Sequence, residues 1–404
     1  MSALPSAKRG RHEEEPIVVP REVVARVRQS LAGPGPAETA RGTSSFLLLS
    51  WNIDGIDETR ERDRMLRCLA VAEHIAATQP AIVMLQEAVP PILELLLAPQ
   101  LLGNHYEVIC PENPSMPYYC VFLLHEQRVQ KLAAARTRHF ASSRMGRHFL
   151  AVDVSVDAQT DASLTFVTTH LESMKTEKAE RVKQFTEVLL AIGDAGLKGR
   201  TVVLAGDLNI RDDEVVAARH RAREKSPQID NIVDVWTWCG SPKGQEFTWD
   251  TSENTNLGVL YKSRCRFNRF FLSSGVTDGK GISRGKFAEG SLSNCKHVPN
   301  VAQWAATDFT LVGQSQVEGL GRFPSDHWGL QINWVLPSTL IQGQFTKNGI
   351  ATGSGTASAA GALFAGSARP SNSQEATCHD GSRWKQLAAS STDRRVDRVV
   401  IDLD

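Results

Sequence analysis

The chain has 404 residues and equal numbers of basic and acidic side chains, 45 of each, so bulk charge does not indicate a nucleic-acid partner. Its seven cysteines lack paired Cys-x-x-Cys spacing, which argues against structural zinc and against a disulfide framework. No apolar run reaches transmembrane length and the first residues lack a signal-peptide core, so we expect a soluble, intracellular protein with no membrane partner.

Composition divides the chain into three parts. Residues 1–43 are polar, and a short helix over residues 23–31 would be too small to bury a core, so we predict a flexible segment. Residues 44–337 carry the periodic patterns and are predicted to form one large domain, with a surface insertion over residues 277–321. Residues 338–404 are rich in Gly, Ala and Ser, which predicts a disordered tail.

Short apolar runs predict buried strands at residues 46–49, 81–84, 164–169 and 201–204. Apolar residues then recur at helical spacing between the strands, at Met65, Leu69, Ala72 and Ile75 and again at Val182, Phe185, Leu189 and Ile192. This alternation predicts an α/β fold, a sandwich of two mixed β-sheets flanked by helices.

Polar side chains follow these apolar runs. One further polar pair, Asp326 and His327, precedes the apolar run that begins after residue 327. Together they are Asn52, Asp54, Glu87, Asp207, Asn209, Asp326 and His327. Because the ends of neighbouring strands lie side by side, we expect these groups to converge in one crevice. Metal-dependent phosphodiester hydrolysis requires such a set: carboxylates that bind a cation, an acid beside an amide, and an imidazole.

Five phrases of the sequence, in order, resemble the endonuclease/exonuclease/phosphatase superfamily, and within it the enzymes that hydrolyse 5′-tyrosyl–DNA linkages. They lie at residues 51–55, 170–173, 231–236, 248–251 and 323–330. The resemblance implies the fold of DNase I and a Mg²⁺-dependent phosphodiesterase, with Mn²⁺ as a substitute. It also implies removal of trapped topoisomerase 2 from DNA 5′ ends during repair. We expect a monomer in the nucleus, and also in the cytoplasm.

The resemblance makes Glu87 the main metal ligand and Asp54 the second, acting partly through water, because Mg²⁺ prefers carboxylate oxygens and retains several waters. The alternative for Glu87 is an acid on the surface after a strand. Asp207 becomes the general base that orients and deprotonates the attacking water. Its alternative is a common Gly-Asp turn.

Amide and imidazole groups complete the predicted chemistry. Asn52 and Asn209 would donate to phosphate oxygens from opposite walls, without repelling the phosphate. His327 would donate to a non-bridging oxygen in the transition state, with Asp326 fixing the local geometry. A single His beside a strand is more often structural, but its place in the Ser-Asp-His-Trp phrase favours the catalytic role.

Further residues are implied as contacts to the DNA end. They are Ile53, Gly55, Ile56, Tyr118, His170, Ser173, Lys175, Arg211, Trp249 and Phe267. Tyr118, Trp249 and Phe267 would form an aromatic wall for stacking, although each also suits a core. At Lys175 the family more often has Arg, so a point charge replaces a bidentate fork. Lys262, Arg264 and Arg266 would share one face if they lie on a strand, with a solvated face as the alternative.

Asn268 departs from the family pattern, which usually has an acid here that pairs with the catalytic His. An amide accepts a hydrogen bond from imidazole but cannot stabilise imidazolium by charge. We therefore predict an attenuated or retuned enzyme, with an inactive relative as the alternative. Competing activities within the superfamily are those of an abasic-site endonuclease, a deadenylase, a phosphoinositide phosphatase or a sphingomyelinase. A protein that caps DNA ends without cleaving them is the competing function from a different class.

The end of the chain resembles a SUMO-interacting motif, a β-branched run followed by acids that would add as a strand to a sheet edge. Its residues are Val399, Val400, Ile401, Asp402, Leu403 and Asp404. A chance apolar cluster is an equal alternative, and residues 13–19 form a weaker second candidate.

Overall fold

The computed structural model describes residues 17–33, 45–155, 163–197, 200–273, 305–335 and 399–400. The helices are α1 (Arg21–Ala32), α2 (Glu61–Thr78), α3 (Pro90–Leu96), α4 (Lys178–Leu197), α5 (Asp212–Arg223) and α6 (Val235–Trp238), with 3₁₀ turns at Lys175–Glu177 and Pro227–Asn231. The strands are β1 (Ile17–Val18), β2 (Ser45–Asn52), β3 (Ile82–Ala88), β4 (Tyr106–Ile109), β5 (Tyr119–His125), β6 (Gln130–Lys131), β7 (Arg136–His139), β8 (His148–Ser155), β9 (Ser163–His170), β10 (Thr201–Asp207), β11 (Ile232–Asp234), β12 (Trp249–Asp250), β13 (Arg264–Cys265), β14 (Asn268–Ser273), β15 (Ala305–Val312), β16 (Gly329–Val335) and β17 (Val399–Val400). Apart from β17, the predicted tail lies outside the described residues.

Two mixed sheets form the framework of the domain. One contains six strands in the order β15-β16-β2-β3-β5-β4. The other contains seven, in the order β11-β14-β10-β9-β8-β6, with β7 also paired to β8. β2 and β3 are parallel, as are β9 and β10, whereas β14 and β16 run antiparallel to the strands beside them. The predicted sandwich of two mixed sheets is confirmed.

An apolar core lies between the sheets, because Leu48 and Phe122 from one sheet and Phe166 and Val203 from the other belong to the same buried cluster. A second cluster joins the outer face of the six-stranded sheet to α1, α2 and α3. A third joins the seven-stranded sheet to α4 and α5. Both sheets are therefore covered on both faces, which explains why their strands are almost continuously apolar.

The two predicted helices are confirmed as α2 and α4. Their core-facing residues are all buried: Met65, Leu69, Ala72, Ile75, Val182, Phe185, Leu189 and Ile192. The four predicted strands are confirmed as β2, β3, β9 and β10.

Residues 17–33 differ from the predicted flexible segment, because α1 packs on α2. The buried residues of α1 are Val23, Val24 and Val27, and Val19, shortly before the helix, is buried with them. Arg26 forms an ion pair of 2.6 Å with Glu73 of α2. The Gln79 side-chain amide donates to the carbonyl of Ser30 at 2.9 Å. This segment needs no core of its own, since α2 supplies the apolar partner.

The sequence-based prediction lacks two strands: β17, which forms a separate two-stranded sheet with β1, and β15, which joins the six-stranded sheet. β17 pairs in parallel with β1, through Ile17 with Val399 and Val18 with Val400. Residues 305–312 form β15 at the sheet edge, so the predicted surface insertion is wrong there. A register shift between Ala306 and Asp308 breaks the alternation of apolar residues and hides the strand in the sequence. Among the described residues no helix is long and apolar enough to cross a bilayer.

Candidate active site

Strand register fixes three of the predicted site residues side by side. Asp207 at the end of β10 is the paired neighbour of His170 on β9 and of Asn268 on β14. Across the sandwich, Asn52 ends β2 and Glu87 lies near the end of β3. His327 lies two residues before β16, whose antiparallel direction brings its start to the same edge of the sheet. The predicted convergence at one end of the sandwich is therefore present.

Asp207 lies at the centre of this group, with only 1% of its surface exposed. Its Oδ1 accepts from the backbone N–H of Asn209 at 3.0 Å, and its Oδ2 accepts from the Asn52 amide at 2.9 Å. Burial raises the pKa of Asp207, but the neighbouring imidazoles of His327 and His170 and the two hydrogen bonds more than offset it, so the pKa lies below its ordinary value. Asp207 is thus held as a carboxylate.

His327 is held by the residue that departs from the family pattern. Its Nδ1 lies 2.7 Å from Oδ1 of Asn268, so Nδ1–H donates and Nε2 points to Asp207, 3.6 Å from Oδ2. Asn268 is fully buried, and its Nδ2 is a buried donor without a partner among the residues that the structure describes. The amide therefore satisfies the imidazole with one end and leaves the other end uncompensated.

The segment that carries His327 is locked to β2. The Trp51 indole N–H donates to the His327 carbonyl at 2.9 Å, and the Ser325 hydroxyl donates to the Asn52 carbonyl at 2.6 Å. Asp326 stands between them, with its Oδ2 3.9 Å from His327 Nε2. These contacts explain why Asn52 and His327 meet although they are far apart in sequence.

His170 occupies the other side of Asp207, with its Nε2 3.4 Å from Oδ2. Arg147 donates to His170 Nδ1 at 2.8 Å, which requires the neutral ring to carry its proton on Nε2. Burial and the neighbouring Arg147 cation hold the pKa of His170 well below its usual range. The Asn209 side-chain amide lies 3.0 Å from the same Nε2 and must face this N–H with its oxygen, because two N–H donors repel each other. His170 is therefore a neutral donor that faces the catalytic carboxylate.

Asp54 and Glu87 form the acidic part of the crevice. Burial, followed by repulsion from Asp326, raises the pKa of Asp54 to about 7. Burial, and then the charges of Asp326, Asp54 and Asp207, raise the pKa of Glu87 well above its ordinary value. Burial and repulsion therefore favour the protonated forms of these acids, because the surrounding protein does not balance the negative charge of the ionised forms.

Arg67 holds the loop that bears Asp54, a role that no pattern in the sequence indicates. Its side chain is fully buried in α2 and forms ion pairs with Asp54 at 3.0 Å and Asp57 at 2.8 Å. It also donates to the Asp54 carbonyl at 3.3 Å. Arg322 donates to the same Asp57 carboxylate at 2.8 Å. The loop position is thus fixed from behind, while Asp54 keeps its elevated pKa.

A divalent cation fits this donor set. Among the described residues no cluster of three or more His, Cys, Asp or Glu side chains has the geometry of a complete metal site. Mg²⁺ and similar ions, however, often take one or two carboxylates and complete their shell with water and substrate oxygens. The mutually repelling carboxylates of Asp54 and Glu87 are the groups whose charge such an ion would balance.

Backbone strain is concentrated at this crevice. Asp54 (φ 50°), Glu87 (φ 56°) and Asn209 (φ 49°) adopt left-handed conformations, as does Met174 (φ 67°) beside Ser173. Such conformations cost free energy and persist only where neighbouring contacts impose them, which is common at functional sites. Gly55 is required for a different reason, because a Cβ there would lie 2.3 Å from the Glu87 carbonyl oxygen.

Two aromatic groups flank the crevice: Tyr118 lies on one side, and Trp249 lies with Phe267 on the other. The Arg147 guanidinium stacks over the half-buried Tyr118 ring at 5.3 Å. On the other flank, Trp249 lies 5.6 Å from Phe267, and the Arg211 guanidinium lies 5.5 Å from that same ring. Phe267 is only 8% exposed, so it supports Trp249 and Arg211 more than it offers its own surface.

The remaining predicted contacts divide into exposed and buried residues. Ile56 and Lys175 are exposed near the crevice, and Ser173 is half-buried and accepts from Arg147 at 2.9 Å. Ile53 is a correction, since its side chain is fully buried in the cluster behind the sheet and cannot contact substrate. The long apolar side chain follows the alternation of β2, which turns it away from the crevice.

The predicted basic strand face over Lys262, Arg264 and Arg266 is also wrong. Only Arg264–Cys265 form a strand there. Arg264 pairs with Asp250 at 3.0 Å, and Arg266 pairs with Asp234 at 2.8 Å. These guanidiniums are neutralised within the protein, so they are poor candidates for phosphate contacts.

Arg147, like Arg67, is a functional residue that the sequence-based prediction does not contain. It is 6% exposed and contacts His170, Ser173 and Tyr118, so it organises the substrate-facing side of the crevice. The signal that could have found it is its position immediately before the apolar run of β8, since the start of a strand antiparallel to β9 reaches the same sheet edge.

Comparison with known proteins agrees with this geometry. Residues 49–327 match the model of the Endonuclease/Exonuclease/phosphatase family, so the chain belongs to that family. It is a phosphodiesterase that depends on a divalent metal ion.

The most similar curated relatives carry one name. The chain is 33% identical to tyrosyl-DNA phosphodiesterase 2 of Homo sapiens over 290 residues, 72% of this chain and 68% of that protein. It is 34% identical to the Gallus gallus protein of the same name, over 71% of this chain and 66% of the relative. The matched region thus spans about two thirds of these relatives' length.

Solved structures give the same picture. The crystal structure of D. rerio TDP2 in complex with a single-strand DNA product has a TM-score of 0.57 at 28% identity, covering 72% of this chain and 99% of that one. Truncated Caenorhabditis elegans TDP2 has a TM-score of 0.56 at 27% identity, covering 72% of this chain and 98% of that one.

Proposed function

We propose that the protein is a Mg²⁺-dependent phosphodiesterase, with Mn²⁺ as a substitute, that hydrolyses 5′-tyrosyl–DNA linkages and so removes trapped topoisomerase 2 adducts. The observation that carries the proposal is the arrangement around Asp207. Two amides and two imidazoles surround one buried carboxylate, and two further carboxylates, Asp54 and Glu87, face it across the crevice.

Asp207 orients and deprotonates the attacking water. Its lowered pKa keeps it ionised at neutral pH but makes it a modest base, so positioning supplies much of the rate. Both Asp207 oxygens accept fixed hydrogen bonds, from Asn209 and Asn52. These bonds hold the carboxylate in one orientation while a remaining lone pair takes the proton from the water.

The groups around Asp207 stabilise the charge that develops on the phosphate oxygens. His170 presents its Nε2–H as a neutral donor, because Arg147 occupies its other nitrogen. His327 points its Nε2 at the same place and is oriented by Asn268; because Nδ1–H already donates to Asn268, Nε2 donates only in the imidazolium form. Donors fixed before the reaction stabilise a transition state without the cost of reorganisation.

Glu87 and Asp54 would hold the divalent ion. When bound, the ion acts as a Lewis acid that polarises the phosphate and neutralises the developing charge. Arg67 keeps Asp54 in place, and repulsion among the acids favours an incoming cation over an unpaired site.

The substrate-facing flanks suit a single-stranded DNA end. Tyr118 with Arg147, and Trp249 with Arg211, offer aromatic faces next to cationic groups. Bases stack on such faces irrespective of sequence, while the guanidiniums contact phosphates. The relative solved with a single-strand DNA product supports this choice over an inositol phosphate or an abasic duplex.

A side-by-side turnover assay tests the proposal. The substrates are a 5′-tyrosyl oligonucleotide, an abasic duplex and an inositol polyphosphate, each with Mg²⁺, with Mn²⁺ and with EDTA. We expect turnover of the tyrosyl oligonucleotide that EDTA abolishes and that either metal restores. Preferential cleavage of either other substrate would refute the assignment, and binding of tyrosyl DNA without turnover would identify a protein that caps DNA ends.

We also propose that the protein is a monomer, acts in the nucleus, and binds SUMO through residues 399–404. In the described part of that segment, β17 already pairs with β1 along one edge, which leaves its other edge for a partner strand. A pull-down with SUMO before and after deletion of residues 399–404 tests the contact. Unchanged capture by the truncated protein would eliminate it.

A further inference from the structure

A buried polar network lies behind the substrate-facing loops, on the side of α4. Its members are Glu172, Arg181, Gln184 and Glu214, none of which is more than 1% exposed. Burying polar and charged groups is costly unless each is paired and hydrogen-bonded. Four such groups in one place therefore require a reason beyond packing.

Arg181 is the centre of this network. It forms two parallel hydrogen bonds with Glu214, from Nε to Oε2 at 3.0 Å and from Nη2 to Oε1 at 2.9 Å. Its remaining nitrogen, Nη1, donates to the carbonyls of Glu172 at 3.3 Å and Ser173 at 3.2 Å, and to that of Met174. One guanidinium thus satisfies three successive carbonyls in the turn that follows His170.

The other members reach the two adjoining loops. Glu214 accepts from the backbone N–H of Arg211 at 3.2 Å, in the loop that follows Asn209. Glu172 accepts from the backbone N–H groups of Arg144 and Met145 at 2.9 and 3.0 Å, just before Arg147. The network therefore connects the loops that carry Arg147, Ser173 and Arg211, which are the substrate-facing residues.

The turn held by Arg181 is strained and points outward. Met174 has φ 67° and ψ 144°, a conformation that a residue with a side chain rarely adopts, yet its side chain is 66% exposed. Strain at an exposed methionine brings no packing benefit. The three carbonyl contacts from Arg181 are what impose it.

We propose that Arg181 is a positioning residue, which with Glu214 holds the strained turn at residues 172–175 so that Ser173 and Met174 meet the substrate. This inference rests on the proposed function for the identity of the substrate. It predicts an effect on substrate binding more than on chemistry, because the network contacts neither Asp207 nor Glu87. The effect should therefore appear in KM and in product affinity.

The first test replaces the buried pair with apolar residues of similar size, Arg181→Met with Glu214→Leu. Replacing a buried ion pair often leaves stability unchanged, but the carbonyls of residues 172–174 lose their donor, so the variant should fold with a moderately lower Tm. We expect KM for a 5′-tyrosyl oligonucleotide to rise roughly 10-fold, with kcat within about threefold, because misplaced binding groups weaken binding. Wild-type KM in this folded variant would overturn the proposal.

The conservative variant Arg181→Lys provides a rescue test. A single ammonium cannot satisfy Glu214 and three carbonyls together, so we expect a KM between those of the natural protein and the double variant. Suppose instead that the Arg181→Lys variant has the KM of the double variant and an unchanged Tm. The loss of the paired bonds to Glu214 would then account for the whole effect, which would argue against a role for the bonds to the carbonyls of residues 172–174.

The strain itself is tested by Met174→Gly. Glycine tolerates the left-handed backbone, so Tm should rise by about 2–4 °C while KM rises, since the turn loses its fixed shape and side chain. The matched control is Ser241→Gly, which relieves φ 52° after α6. It should raise Tm without altering KM. A Met174→Gly variant with unchanged KM would refute the proposed contact.

A readout without turnover separates this inference from the proposed function. Hydrogen exchange at residues 172–175 should accelerate in the Arg181→Met/Glu214→Leu variant whatever substrate the enzyme uses. Anisotropy with a 5′-phosphorylated single-stranded oligonucleotide in EDTA should show weaker binding. Failure of the natural protein to cleave tyrosyl DNA would refute the proposed function alone, whereas unchanged exchange would refute the positioning role alone.

Discussion

The two walls of the crevice hold buried carboxylates in opposite electrostatic states. On the wall of the six-stranded sheet, burial and repulsion raise the pKa values of Asp54 and Glu87. On the wall of the seven-stranded sheet, Asp207 is as deeply buried, yet its pKa lies below the ordinary value. Burial alone therefore does not decide the state of an acid. Neighbouring groups decide it as well: the acids around Asp54 and Glu87 raise their pKa values, whereas the imidazoles and hydrogen-bond donors around Asp207 lower its pKa.

We expect the largest effect on this difference between the two walls from the substitution Asp207→Asn, which removes the base. The amide keeps the shape but cannot take a proton from water, so turnover should fall by roughly 10²–10⁴. Single-turnover kinetics on a 5′-tyrosyl oligonucleotide measure the loss. The matched control is Asp153→Asn on β8 of the same sheet, an acid that pairs with Arg136 away from the crevice. Near-normal turnover in Asp207→Asn would remove Asp207 as the base.

The next largest effect is expected from Glu87→Gln, on the wall of the six-stranded sheet that would bind the cation. Turnover should fall on the order of 10²-fold, and the Mg²⁺ concentration at half-maximal rate should rise because one ligand charge is lost. Metal titrations of the natural and variant proteins measure both effects. Glu107→Gln, at a partly exposed acid on β4 of the same sheet, serves as the control. An unchanged titration curve would exclude Glu87 as a ligand.

Asn268→Asp sharpens the contrast by adding a charge to the wall of Asp207. The new carboxylate would lie against His327 Nδ1, where Asn268 now accepts at 2.7 Å, and would remove the amide donor that lacks a partner. Since a carboxylate favours imidazolium, turnover near neutral pH should rise a few-fold and the alkaline limb of the pH–rate profile should move upward. A profile that stays in place would show that the protonation of His327 does not couple to residue 268.

The smallest expected effect is on the pH dependence of stability. Here the two sheets should behave alike, because each contains a buried histidine with a lowered pKa. Burial lowers the pKa of His125 on β5 and of His148 on β8 to about 4 in each case. The unfolded chain then binds more protons below pH 6.5, so stability should fall as the pH drops from about 6.5 to about 4, by at most about 3 kcal/mol for His148. Urea unfolding of His148→Gln across this range should show a shallower pH dependence; an equal slope would contradict it.

The catalytic centre was predictable from the sequence because it lies on strand ends. Asn52, Glu87, Asp207 and His327 directly follow or precede apolar runs, and the geometry of a sheet brings such ends together. The supporting residues were not predictable. Arg67 and Arg181 lie inside helices, where a basic residue normally faces solvent, and their partners lie in loops of no fixed spacing.

Two wrong predictions have the same physical origin. The spacing of Arg264 and Arg266 predicts a basic face, but carboxylates from distant parts of the chain, Asp250 and Asp234, neutralise them. Likewise, the sequence around α1 predicts a flexible segment because its partner, α2, is distant in sequence. Long-range partners leave no periodic signal. The extent of the flexible segment, the domain limits and the roles of the individual site residues remain predictions.

The lock between β2 and the segment before β16 has a consequence for biosynthesis. Trp51 and Asn52 emerge early from the ribosome, whereas the Ser325 hydroxyl and the His327 carbonyl that bind them emerge much later. A growing chain that already carries Asp207 therefore lacks one side of its site until β16 has been made. Translation order therefore leaves the His327 side of the site to be completed last, when residues 325–335 join β2.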